Sequence, residues 1–385
     1  MRYQCRKLDV LLLIAALAGL PACEADPTPP GPAPYVWTLP VGLPTPKVPD
    51  DNPMSDAKAE LGRRLFYDKR LSGNGKQSCG SCHQQAKAFA DELPVGEGST
   101  GEKHVRGAMS LTNVAYASAL TWGNPTVTSL EKQALVPIFG ENPVELGLAG
   151  QEVALVAKLS TDANYPKLFQ AAFGSSAVSV QRIVQAIASF ERTLIAGNSP
   201  WHRYLRGEAT AIDAAAKRGS KLFFSERLEC FHCHSTSLFS DSTDWQGKLA
   251  TEKAFHNTGL YNVAGGGGYP LGNQGVFDVT GKPGDRGKFK APTLINIAVT
   301  APYMHDGSIA TLDGVLDHYA AGGRKVAEGP AAGDGTLNPN KSPFVRGFTL
   351  SADERVDLLT FLNSLTDQGF LTDPRFADPW PSKGP

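Results

Sequence analysis

Residues 228–241 read LECFHCHSTSLFSD, and within them Cys230, Cys233 and His234 stand in the order C-x-x-C-H. A second pentad, with Cys79, Cys82 and His83, lies in SCGSCH at residues 78–83. Chance would supply roughly 0.002 such pentads in a chain of this composition, so a pair of them is a signal. Three chemistries use parts of this pattern: a zinc site, a redox dithiol and covalently attached haem. Zinc would need the two clusters to pool ligands into one tetrahedron, and a redox dithiol would leave both histidines without a task. Haem of the c type uses every residue, because the two thiols add to the two vinyl groups while the adjacent imidazole reaches the iron. The pentads thus assign Cys79, Cys82, Cys230 and Cys233 as attachment points for two covalent c-type haems. His83 and His234 become the iron ligands, and His232 reads as a neighbour or a surface residue.

The sequence around each pentad repeats. ELGRRLFYDKRLSGNGKQSCGSCH at residues 60–83 answers to KRGSKLFFSERLECFHCH at residues 217–234, the second copy having the shorter loop before its cysteines. Each is a short helix followed by an Arg-Leu and the pentad, which predicts two similar, mainly helical domains. GNSPWHRYLRGEAT, residues 197–210, interrupts two helical patterns and marks the boundary. Helices are expected after Ser55 as N-cap, over QRIVQAIASFERTLI with Ile183, Ile187, Phe190 and Leu194 on one face, and after Ser351. The glycine-rich stretch 257–290 has no periodicity and reads as a long surface loop. Strand signals are few and short.

The N-terminus carries Arg2, Arg6 and Lys7 before an apolar run from Val10 to Leu20, then LPAC. That run is too short for a spanning helix and fits a secretory signal of residues 1–22. Cys23 is a candidate for a lipid anchor, with simple cleavage as the alternative. Residues 23–53 are proline-rich and read as a stiff tether. The formal net charge of −1 leaves no basic field for nucleic acid. Export to the periplasm agrees with covalent haem.

The opposite face of each iron decides function. An open face admits peroxide, and a filled one makes the haem an electron store or relay. Residues 61–83, LTWGNPTVTSLEKQALVPIFGENPVELG (120–147) and KAPTLINIAVTAPYMHDGSIATLDGVLDHYAAGG (290–323) resemble the bacterial di-haem cytochrome c peroxidase and MauG superfamily. The resemblance runs from about Met54 to Asp367 and is strongest to MbnH-type enzymes, linked to copper-handling loci. It implies a mainly α fold of two cytochrome c-like haem domains related by duplication, with long loops and few short strands. Residues 54–205 would hold the peroxide-reactive haem and residues 206–385 the electron-transfer haem. The activity implied is a peroxide-dependent one in which high-valent iron oxidises a partner protein, as with tryptophan on the small copper-binding protein MbnP. Two other readings stay open: a peroxidase that detoxifies hydrogen peroxide with a small cytochrome donor, and a non-catalytic electron carrier.

By the same resemblance Gln133, Pro137 and Glu145 form the distal pocket of the first haem. The segment after Pro137 is two residues longer than in the family, so Glu141 is an alternative to Glu145. Trp122 matches a relay between the haems, and Tyr319 matches the distal ligand of the second. Read from spacing alone, Tyr319 is equally a core residue beside Leu312, Val315 and Leu316. His305 is expected near the haems without ligating, and Met304 in the core. His104 matches a structural loop. Calcium is implied at the backbone carbonyls of Thr300 and Pro302, although Gly107 stands where the family has asparagine. The family's surface tryptophan corresponds to Leu228, and neither Trp245 nor Trp201 can be chosen as a substitute exit.

Overall fold

The computed structural model describes residues 35–380; the signal peptide, Cys23 and the first part of the proline-rich segment lie outside the described residues. Six helices position the sites: α1 (Asp56–Tyr67), α2 (Leu130–Phe139), α3 (Val180–Glu191), α4 (Ala214–Phe223), α5 (Leu312–Ala320) and α6 (Ala352–Asn363). The two strands, β1 (Lys325–Val326) and β2 (Gly333–Asp334), form a short antiparallel ribbon. The fold is therefore mainly helical.

Local chemistry sets the helix starts. Ser55 Oγ accepts from the Lys58 N–H at 3.2 Å and opens α1. Ser351 and Glu354 exchange hydrogen bonds at 3.2 and 2.9 Å, a reciprocal cap that opens α6. The predicted face of α3 is buried through Ile183, Ile187 and Phe190, with Leu194 buried just beyond its end.

Two helix pairs repeat one contact. A Cβ at Gly62 of α1 would lie 1.9 Å from the Ala186 carbonyl oxygen of α3 and 2.9 Å from Phe190 Cβ. One at Gly219 of α4 would lie 2.0 Å from the Asp357 carbonyl oxygen of α6 and 2.9 Å from Phe361 Cβ. Glycine at both positions lets the backbones touch, which no other residue permits. After each pair comes the same tie. Asn113 donates its N–H to the Leu194 carbonyl at 2.9 Å, and Asn296 donates to Leu365 at 3.1 Å, both asparagines being left-handed.

Residues 35–53 contain no helix or strand and lie along this body. Tyr116 donates its hydroxyl to the Pro44 carbonyl at 2.7 Å, and the Gln246 N–H reaches Thr45 at 2.9 Å. The 257–290 stretch differs from the expected surface loop. Leu260, Tyr261, Tyr269 and Phe289 form a small second core, with Trp122 and Met304 packed against it. Its glycines concealed this, since they break both periods while allowing the turns that bring four large side chains together.

Candidate haem sites

Each pentad opens onto its own cavity, and no pentad residue is shared between the two. The first consists of two adjoining lobes that share Cys82, His83, Gln133 and Glu145, one reaching Cys79 and Pro137 and the other Trp122 and Lys290. The second is lined by Cys230, Cys233 and His234 together with Tyr319, Met304 and His305. Pooling of the pentads into one zinc tetrahedron does not fit this separation.

The histidines are held alike. His83 Nδ1 bonds the Phe89 carbonyl at 2.8 Å, and His234 Nδ1 bonds the Phe239 carbonyl at 3.1 Å. Phe89 and Phe239 both have left-handed backbones, with φ of 59° and 52°, which turns each carbonyl back toward its histidine. With Nδ1 so occupied, Nε2 is the atom left for a metal. Burial pulls both imidazoles below their ordinary value and keeps them neutral, as ligands must be. Burial also pushes Cys82 up to about 11 and Cys230 up to about 12, and no disulfide joins the pentad cysteines. Apolar walls, two thiols and one free imidazole nitrogen per cavity are the donor set that a c-type haem uses.

What surrounds the two cavities differs. In the first, α2 presents Gln133 and Pro137; Pro137 has no N–H to give to the Gln133 carbonyl one turn earlier. The following loop is pinned back by Leu146 N–H to Pro137 O at 2.8 Å and Leu148 N–H to Ile138 O at 3.0 Å. This turns Glu145 into the cavity. Glu141 is exposed and pairs with Val144 in a small bridge that absorbs the extra loop length, so it does not reach the site. Burial raises the Glu145 carboxyl above its ordinary range, against the opposing effect of His104. His104 is a cavity residue, not only a loop element, and its Nε2 is buried without a partner.

In the second cavity the Tyr319 hydroxyl has no hydrogen-bond partner among the described residues, and burial, then the Cys233 and Cys230 thiols, push it well above the usual phenol range. His305 stacks on Phe289 at 3.6 Å with a buried, unpartnered Nε2, and burial lowers it to about 4. Trp122 walls both cavities and donates its indole N–H to the Gly107 carbonyl at 3.0 Å.

Other expected residues lie apart. Leu228 is buried in the second cavity's wall, Trp201 is buried against Phe361 at 5.0 Å, and Trp245 is half-buried beneath Lys248. Thr300 and Pro302 line neither cavity, but neither carbonyl accepts a hydrogen bond among the described residues. Three residues escaped the sequence reading. His256, paired with Asp241 at 2.5 Å, lines the second cavity; Glu191 lines the first; and Lys290 lines both. Signals were weak, since Lys290 and Glu191 are types that normally face water.

Fold and donors define a helical protein with two c-type haem sites of unlike surroundings. Residues 56–210 match the family profile described as di-haem cytochrome c peroxidase. The chain is 34% identical to cytochrome-c peroxidase IdrP1 of Pseudomonas sp. strain SCT, over 94% of this chain and 93% of that protein. It is 34% identical to the methylamine utilization protein MauG of Methylorubrum extorquens, over 85% and 82%. The chain belongs to the di-haem cytochrome c peroxidase and MauG family, whose members are peroxide-dependent or oxidising di-haem enzymes. The crystal structure of a MauG-like protein associated with microbial copper homeostasis superposes with a TM-score of 0.88 at 48% identity, covering 90% of this chain and all of that one. The di-haem peroxidase BthA of Burkholderia thailandensis shares the fold, with a TM-score of 0.64 at 22% identity, covering 85% of this chain and 90% of that one. Among the described residues no helix is long and apolar enough to cross a membrane.

Proposed function

We propose that this enzyme reduces hydrogen peroxide at the His83 site and takes the two electrons from a side chain of a partner protein, through Trp122 and the His234 site. The observation that carries the reading is the asymmetry around one shared wall. A half-buried acid, Glu145, faces the first cavity; a partnerless phenol, Tyr319, faces the second; Trp122 belongs to both. A haem held by Cys79, Cys82 and His83 would supply the redox iron that peroxide reduction needs. Glu145 takes a proton from the attacking peroxide and returns it to the departing oxygen, the acid and base work that its raised carboxyl suits. Gln133 offers an amide donor to the same space, and Pro137 walls it without one. Tyr319 would close the second cavity to small molecules by offering its phenol oxygen to a haem held by Cys230, Cys233 and His234. The balance is H2O2 plus two electrons and two protons to two waters, while the partner side chain that gives up two electrons takes its oxygen from one water and releases two protons.

The partner we favour is a small copper-binding protein of the MbnP kind, oxidised at tryptophan, because the solved relative at 48% identity is associated with copper homeostasis. Relatives named cytochrome-c peroxidase favour a second reading, in which a small reduced cytochrome is the donor. Peroxide added to the ferric holoprotein should change the spectrum of one haem, and a candidate partner should then gain mass as oxygen on tryptophan. Fast turnover with a cytochrome and no mass change would replace the first reading by the second; no spectral change would remove both.

We also infer that residues 54–205 and 206–385 descend from one duplicated haem-binding unit. The matched Gly62 and Gly219 contacts, the matched asparagine ties and the matched Phe89 and Phe239 carbonyls support it. Calcium at the Thr300 and Pro302 carbonyls is proposed from their free acceptors, and metal analysis of the purified protein tests it. The signal-like sequence of residues 1–22 supports a periplasmic location, and Cys23 is the candidate for a lipid anchor.

A further inference from the structure

A buried ammonium stands at the junction of the two cavities. Lys290 is 6% exposed, and it lines both. Its Nζ has three protons to donate and one partner, the Ala119 carbonyl oxygen at 2.8 Å. No carboxylate among the described residues pairs with it, and burial, unopposed by any charge, lowers it to about 8. An isolated ammonium in such a place is costly, and buried cations are normally paired. The cost is explained if the anion arrives with the cofactor. Each haem brings two propionate carboxylates into the cavity it fills. Arg106, another basic residue of the first cavity, is already paired with Asp278 at 3.0 Å. In the second cavity Lys290 is the sole lysine or arginine among the described lining residues.

We propose that Lys290 is a cofactor anchor whose ammonium pairs with haem propionate at the junction of the two cavities and fixes a positive charge beside Trp122. The proposal rests on the two-haem reading and not on the peroxide chemistry. Neutralising a propionate stabilises the reduced iron relative to the ferric, so losing the ammonium moves the midpoint potential in the negative direction.

The test compares holoprotein of the wild type, Lys290→Arg and Lys290→Met by resonance Raman spectroscopy and spectroelectrochemical titration. Lys290→Met should shift a propionate-bending band and lower at least one of the two midpoints, while Lys290→Arg keeps both close to wild type. Bands and midpoints of Lys290→Met that match the wild type overturn the proposal. Should Lys290→Met fail to accumulate with haem, Lys290→Gln takes its place, since it keeps a donor for Ala119 without the charge; wild-type bands and midpoints there overturn the proposal equally. A haem-loaded protein inert to peroxide would remove the functional reading and leave this test intact.

Discussion

The main-chain N–H of Lys290 donates to the carbonyl oxygen of Trp122 at 2.9 Å. Trp122 is tied a second time through its indole N–H to Gly107, so two distant segments of chain fix one ring in the wall between the two haem cavities. The relay role proposed for Trp122 needs fixed distances, and the residue is clamped at the backbone and at the ring.

Trp122→Phe keeps an aromatic filler and removes the oxidisable indole. Haem content and fold should be unchanged, while oxidation of the partner slows by about tenfold or more, about 1.4 kcal/mol in barrier. Stopped-flow mixing of peroxide-treated enzyme with the partner measures it. A rate equal to wild type would make Trp122 a packing residue.

Glu145→Gln should slow the reaction with peroxide by about a hundredfold, the low end of what general acid and base catalysis supplies. Glu141→Gln should leave it unchanged, because Glu141 points into solvent. Burial raises the Glu145 carboxyl, and its base form accumulates only above that raised value. The wild-type rate should therefore climb with pH through a midpoint above the ordinary carboxylate range, and the climb should vanish in Glu145→Gln.

Tyr319→Phe removes the oxygen proposed as a ligand of the second iron. Because its buried surroundings hold the phenol protonated, only a bound metal would deprotonate it. The low-spin ferric signal in electron paramagnetic resonance should change and the second haem should become reactive to cyanide. An identical signal in the variant would return Tyr319 to the core.

The di-haem family and the two pentads that line its cavities were legible because thioether chemistry demands a fixed order of residues, and order is what a sequence displays. So were the helix starts at Ser55 and Ser351 and the buried face of α3, which depend on neighbours within a turn. The choice between Glu141 and Glu145 was not, since it depends on how the loop after α2 folds back through backbone bonds from Leu146 and Leu148. Nor was the small core at 257–290, built by contacts across glycine turns. Lys290 and Glu191 stayed hidden for a different reason. Charged residues read as solvent-facing until a cavity shows what they face.

The close helix contacts predict a paired stability effect. Gly219→Ala would set a Cβ 2.0 Å from the Asp357 carbonyl oxygen, and α4 and α6 must part to admit it. The cost should be about 2–3 kcal/mol, the upper part of the range for overpacking. Gly62→Ala should cost about as much, whereas Gly284→Ala, with nothing within 4 Å, should be nearly neutral. Urea unfolding followed by circular dichroism ranks the three.

Glu191 supplies the last prediction. It is 5% exposed, its Oε2 has no partner, and burial, opposed by Arg192, raises it to about 8. The unfolded chain holds this proton only up to the ordinary value near 4.5. Between those two pH values the folded state binds more protons than the unfolded one, so stability falls as pH rises. The contribution is fully present below about 4.5 and lost once pH has passed about 8. Glu191→Gln keeps the shape and removes the titration. Urea midpoints of the holoprotein at roughly pH 5, 7 and 9 should decline for the wild type and stay flatter for the variant. Parallel declines would mean that Glu191 is ionised in the fold, and that a cation or a water chain reaches it beside Cys79.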